Sequence, residues 1–281
     1  MNPYIELMRP VNSLMAGAAA ILGFLVASNF ALLQSYIVKL LLLFISAFLL
    51  SSSSMAINDY FDREIDLVNQ PNRPIPSGRV KPRSALAFSI IMMIIGLSLS
   101  ILITLEAFFI AIGACTVFTA YSAYLKRLGI LGNAAVSLCV ALTFIYGSAA
   151  LGTPTMLIIM FSVMAFLANM SREIIKGIID VEGDKLKGVK TLAASRGFRV
   201  ASAVALAFMV SAVIVSFTPI IYGYVNWLYT PIILVSDIGL IASAILVLIA
   251  PLPERAKLSK KLMLMFMGLA LIAFLVGCVN M

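Results

Sequence analysis

Asn58, Asp62 and Asp66 recur at intervals of four residues in the segment NDYFDREID, residues 58–66. On a continuous helix each such step overshoots a full turn by only about 40°, so the three side chains share a face. Two carboxylates and an amide carbonyl are hard oxygen ligands, suited to Mg²⁺ held by a few protein groups together with water and phosphate oxygens. Asp59 and Glu64 point away from that face and are expected to be bystanders. A second set lies in SREIIKGIIDVEGDKLKGVKTLAASRG, residues 171–197, where Asp180 and Asp184 repeat the four-residue interval and Glu173 lies near their face. Asp62 to Asp180 and Asp66 to Asp184 are both 118 residues apart. Two acidic motifs in one register suggest more than one ion, bridged by a diphosphate.

Basic residues surround these motifs. QPNRPIPSGRVKPRS supplies Arg73, Arg79, Lys81 and Arg83; AYSAYLKRLG supplies Lys126 and Arg127; GDKLKGVKT supplies Lys185, Lys187 and Lys190. Most are expected to set topology or meet anionic lipid, with two to four of them binding phosphate. Lys126 is singled out because it stands at a helix end beside Tyr121. The sequence contains no histidine, which excludes a His general base, a His-ligated zinc site and His-ligated haem.

The elements that position these residues follow from composition. Of 281 residues, 62% are hydrophobic and 11% charged, far from a soluble domain and characteristic of an integral membrane protein. Dividing the long charge-free stretches at Gly152-Thr153-Pro154 and Gly223-Tyr224-Val225-Asn226 predicts nine spans: 11–28, 37–59, 84–104, 107–125, 130–150, 154–178, 200–221, 231–250 and 261–280. The expected fold is all-α and polytopic, a single transmembrane domain over residues 1–281. Spans 1–4 and 5–8 are expected to be internal repeats, each placing an acidic motif after its second helix, with the ninth span added. The first span lacks a cleavage pattern and reads as retained.

Apart from Lys39, the Lys and Arg residues cluster at the amino terminus or around the connections after the even-numbered spans. The positive-inside rule puts these connections and the amino terminus in the cytoplasm, with the carboxyl terminus outside. The net charge of +8 is then topogenic, and nucleic acid is not an expected partner. Cys115, Cys139 and Cys278 have no metal-type spacing and read as packing residues. Asp237 falls towards the outer end of the eighth span as an unpaired acid and is expected to be interfacial.

NDYFDREID followed by RPIPSG, then YSAYLKR, then DVEGD with GVKTLA, resembles the signatures of the UbiA superfamily of intramembrane prenyltransferases through most of the chain. More narrowly, the length and the segment REIIKGIIDVEGDKLKGVKTLA resemble the archaeal digeranylgeranylglyceryl phosphate synthases. The resemblance implies a nine-helix bundle whose central cavity holds a prenyl diphosphate, its head bound through Mg²⁺. Asn58, Asp62, Asp66, Asp180 and Asp184 would be the metal and diphosphate ligands, and Lys126, with Tyr121 nearby, would help bind the diphosphate. Glu173 and Lys176 would select the acceptor, and Arg9, Lys176 and the loop arginines, Arg73 among them, are candidates for a clamp on an acceptor phosphate. Tyr121 or another aromatic could stabilise an allylic cation through its ring face. The expected donor is geranylgeranyl diphosphate, and the expected acceptor is geranylgeranylglyceryl phosphate, used in archaeal ether-lipid biosynthesis. Competing readings are prenylation of an aromatic quinone precursor or a tetrapyrrole and, from another class, a secondary transporter. The transporter is disfavoured because the acids are expected at the cytoplasmic helix ends beside phosphate-type basic loops.

Overall fold

The computed structural model describes residues 2–29, 36–152, 154–186 and 188–279; Thr153, Lys187 and the last residue of the ninth predicted span lie outside them. Among the described residues the regular structure is helical, and nine helices are long and apolar enough to cross a membrane. The spanning helices are α2 (Pro10–Ala27), α3 (Ile37–Asn69), α4 (Pro82–Ile103), α5 (Leu105–Ala123), α6 (Ile130–Ser148), α7 (Met156–Ile179), α10 (Phe198–Ser216), α12 (Tyr229–Ile249) and α13 (Pro253–Gly277). Short helices fill the connections: α1 (Pro3–Met8), α8 (Val181–Leu186), α9 (Leu192–Arg196) and α11 (Thr218–Ile221).

Three boundaries differ from expectation, each for a local reason. The helix expected to stop at residue 59 continues to Asn69, because charge ends an apolar span without ending a helix. It stops before Gln70-Pro71, where proline disfavours helical backbone in the preceding residue. The last helix begins at Pro253 instead of 261, since proline suits the first turn and ERAKLSKK is helix-compatible. The seventh span is interrupted at Phe217, just before α11, which carries Pro219 in its first turn.

Helices α2 and α3 pack together, α2 also packs on α6, and α6 on α7. The chain of contacts continues through α10, α12 and α13, with α13 returning to α7 and α2. Small residues allow the closest approach: a Cβ added at Gly147 of α6 would lie 1.9 Å from the carbonyl oxygen of Ala20 on α2. Where lipid tails replace water, such backbone proximity and interhelical hydrogen bonds supply much of the association. Serines of α3 contribute directly. Ser53 donates to the Ser89 carbonyl on α4 (2.9 Å), Ser52 to Ser13 on α2 (3.0 Å), and Ser46 to the Gly96 carbonyl (2.8 Å) while accepting from Tyr146 of α6 (2.7 Å). These contacts fix the rotation of α3 and therefore the direction of its acidic face.

Candidate active site

Asn58, Asp59, Asp62 and Asp66 are all buried on α3. Lys126, in the tight turn Leu125–Leu128 after α5, donates to Asp62 Oδ2 at 2.7 Å. Arg73 donates to Asp66 Oδ2 at 2.6 Å and to Asp59 Oδ1 at 3.1 Å. Arg9 also donates to Asp59 Oδ1 and reaches Met55 Sδ at 3.5 Å. Asp59 is therefore a hub for two arginines and not the expected bystander. Glu64, by contrast, is exposed, with Arg63 3.9 Å away.

Arg9 joins α1 to α2 with left-handed backbone, φ 46° and ψ 68°. This conformation costs a non-glycine residue roughly 1–2 kcal/mol, and here it lets the side chain reach Asp59. Burial works against the charged guanidinium, but Asp59, supported by Asp66 and Asp62, outweighs it and raises the Arg9 pKa. Lys126 follows the same pattern: burial opposes the ammonium, and Asp62 more than compensates, so its pKa is raised.

The second motif meets the first through Asn69. Its Nδ2 donates to the Asp180 carbonyl (2.9 Å), and its Oδ1 accepts from the Gly183 backbone N–H (3.0 Å). A Cβ at Gly183 would lie 2.6 Å from Asn69 Nδ2, so glycine is required for this joint. Asp180 caps α7, and the Asp184 N–H donates to its carbonyl at 3.0 Å, preserving the four-residue turn across the helix break. Both aspartates are buried, and Oδ1 of each has no hydrogen-bond partner. Burial pushes the Asp184 carboxyl up to about 6, with Lys126 pulling down and Asp180 pushing further up.

A cavity of about 300 Å³ has a wall that includes Arg9, Asn58, Arg73, Tyr121, Glu173 and Lys176, followed by a long apolar lining; of the two acidic motifs it is Asn58 that lines it, while Asp62, Asp66, Asp180 and Asp184 do not. Tyr121 is buried beside Phe118, their ring centroids 5.7 Å apart. Glu173 accepts from Arg172 at 3.1 Å and Lys176 at 3.2 Å. Sequence reasoning overlooked the positional importance of Asn69, Arg172 and Lys260, although the last two also line the cavity. Asp237 departs from expectation in another way. It is buried, lines the cavity and accepts a 2.7 Å hydrogen bond from Ser216, so it is not unpaired.

Residues 14–270 match the model of the UbiA prenyltransferase family. The chain belongs to the UbiA prenyltransferase family. It is accordingly an integral membrane protein and a prenyltransferase. This UbiA chain is 41% identical over 280 residues to a digeranylgeranylglyceryl phosphate synthase of Pyrococcus abyssi, covering 100% of this chain and 98% of that protein. It is 38% identical to the synthase of the same name from Methanothrix thermoacetophila, covering 97% of this chain and 98% of the other. A solved digeranylgeranylglyceryl phosphate synthase structure superposes with a TM-score of 0.76 at 34% identity, over 99% of this chain and 98% of that one. An Archaeoglobus fulgidus UbiA homologue, solved with DMAPP and Mg²⁺, shares the fold: TM-score 0.63, 19% identity, coverage 95% and 98%.

The donor set of this UbiA chain fits a divalent cation. No group of three or more carboxylates or cysteines among the described residues is close enough to hold an ion by itself. Mg²⁺ does not require one, because it commonly takes one or two carboxylates and completes its shell with water and phosphate oxygens. Asp62 and Asp66 each meet their cation through Oδ2, while the Oδ1 atoms of Asp180 and Asp184 are buried without partners. Asn58 Nδ2 is likewise buried and unbonded, leaving the amide available to a cation through oxygen or to a phosphate through nitrogen.

Proposed function

We propose that this chain transfers the geranylgeranyl group of geranylgeranyl diphosphate to the free hydroxyl of geranylgeranylglyceryl phosphate. The products are digeranylgeranylglyceryl phosphate and diphosphate, in archaeal ether-lipid biosynthesis. The observation that carries this reading is the joint at Asn69, which brings two buried aspartate motifs together, with Asn58 and the Asp66 partner Arg73 lining a long apolar cavity. The activity named for the full-length relatives supports the same substrates. We read the two motifs as equivalent parts of an internal repeat, and the basic connections as cytoplasmic.

Asn58, Asp62, Asp66, Asp180 and Asp184 would hold Mg²⁺, which when bound neutralises charge developing on a departing diphosphate. Lys126 and Arg73 supply cationic hydrogen-bond donors to the same oxygens, and they stand within reach through their pairs with Asp62 and Asp66. The apolar wall excludes water from the allylic carbon, where water would divert the group to the free alcohol. Tyr121 presents a buried aromatic ring to developing cationic charge. Arg9, Glu173 and Lys176 are assigned to the acceptor side. The acceptor hydroxyl forms the new C–O bond as the C–O bond to diphosphate breaks, and its proton leaves to diphosphate or a carboxylate.

Purified protein given geranylgeranyl diphosphate, Mg²⁺ and geranylgeranylglyceryl phosphate should release diphosphate and form the two-chain lipid, identified by mass spectrometry. Asp62→Asn and Asp184→Asn should each lower turnover by about 10²-fold or more while the protein remains folded. Prenylation of an aromatic acid with none of the glyceryl phosphate would overturn the acceptor reading.

A further inference from the structure

Lys260, Leu264, Met267, Leu271 and Phe274 of α13 all line the cavity. Their spacing of four, three, four and three residues places them on one helix face, a stripe about 21 Å long at the ordinary helical rise. Its first member is a cation and the rest are apolar. Across from it, α7 packs against α13 and presents Arg172, Glu173 and Lys176 to the same cavity.

Lys260 is within electrostatic reach of Arg172, Glu173, Lys176 and Asp180. Asp180 belongs to the proposed metal motif, leaving Glu173 as the local counterion for three cations. Glu173 already accepts from Arg172 and Lys176, whereas Lys260 forms no ion pair among the described residues. Arg172 Nε is buried without a hydrogen-bond partner, so a second acceptor is missing from its fork. An excess of cations in a low-dielectric wall is costly unless an anion joins them, and a phosphomonoester carries both the charge and the acceptor oxygens required.

We propose that Arg172, Lys176 and Lys260 clamp the phosphate of the acceptor, and that the α13 stripe below Lys260 carries its isoprenoid chain. Lys126 and Arg73, paired with the aspartates of α3, serve the donor diphosphate instead. The clamp rests on the acceptor assigned above and adds the residues that select it. A neutral acceptor leaves the cationic excess uncompensated and is discriminated against.

The test uses full-length protein in neutral detergent micelles, so that the acceptor is the sole phosphomonoester lipid. Initial rates are measured with geranylgeranyl diphosphate and either geranylgeranylglyceryl phosphate or geranylgeranylglycerol. Lys260→Gln should raise the KM for the phosphorylated acceptor about tenfold or more, the effect of one lost charge-assisted hydrogen bond. Donor KM and kcat should stay within about twofold, preference for the phosphorylated acceptor should fall by the same factor, and Lys260→Arg should restore most of it. Met267→Trp should raise KM for the long-chain acceptor and spare a five-carbon prenyl glyceryl phosphate. An unchanged acceptor KM in Lys260→Gln, or an equal loss with both acceptors, refutes the clamp alone. Wild-type protein inactive with both glyceryl acceptors refutes the acceptor reading and the clamp with it.

Discussion

Replacing Asn69 by alanine removes the joint between the two acidic motifs while leaving the side chain of every proposed metal ligand in place. Two hydrogen bonds disappear, 2.9 Å to the Asp180 carbonyl and 3.0 Å to the Gly183 N–H. At a net value of about 0.5–1.5 kcal/mol each, the docking of the Asp180–Asp184 segment weakens by about 1–3 kcal/mol. That corresponds to roughly a 5- to 150-fold shift in an equilibrium on which diphosphate and Mg²⁺ binding depend. The Mg²⁺ concentration for half-maximal turnover should rise, and kcat/KM for the donor should fall, by a factor in that range. Asn69→Asp should fall between, since it keeps an acceptor for Gly183 and loses the donor to Asp180. Gly183→Ala pushes the same joint apart, so Asn69→Ala/Gly183→Ala should be little worse than the worse single variant. Steady-state diphosphate release over a Mg²⁺ titration reads all four proteins. A titration of Asn69→Ala that overlays the wild type, or full additivity in the double variant, would refute the assignment of Asn69 as the joint.

Two further outcomes follow from the geometry. Because the Asp184 carboxyl is pushed up to about 6, it gains below that pH a proton which a metal ion must displace. The half-saturating Mg²⁺ concentration should therefore rise as pH falls, approaching about tenfold per unit below the pKa, and a flat profile would count against Asp184 as a ligand. Gly147→Ala should destabilise the α2–α6 contact by about 1–3 kcal/mol and lower the melting temperature in detergent. Gly113→Ala, where nothing lies within 4 Å of the added Cβ, is the matched control; equal melting of the two variants would contradict the packing argument.

The nine spans and the face shared by Asn58, Asp62 and Asp66 were legible because both depend on local periodicity. The length of α3 beyond residue 59 was not, since hydropathy reports what lipid accepts and says little about where a helix ends. Asp59 was misread for a different reason. Its importance comes from Arg9 and Arg73, 50 and 14 residues away, and no helical wheel contains that information. Arg172 and Lys260 were absorbed into the positive-inside pattern, which explains a cation's side of the membrane without revealing whether it faces lipid or cavity. Asn69 carried only a weak signal, the glycine of DVEGD, whose need for space becomes apparent only when the second chain segment is in place.

Arg9 makes the connection after the short helix that precedes the first span part of the cavity wall. Its left-handed backbone is set between α1 and Pro10, while Glu6 of α1 meets Arg79 at 2.7 Å across the loop that also carries Arg73. Expression designs that trim this chain to its apolar helices, or splice a rigid fusion directly onto α1, would therefore disturb the cavity wall and the Arg9–Asp59 pair, and not merely yield. A flexible spacer before Asn2, which caps α1 by accepting from the Tyr4 N–H, preserves that arrangement.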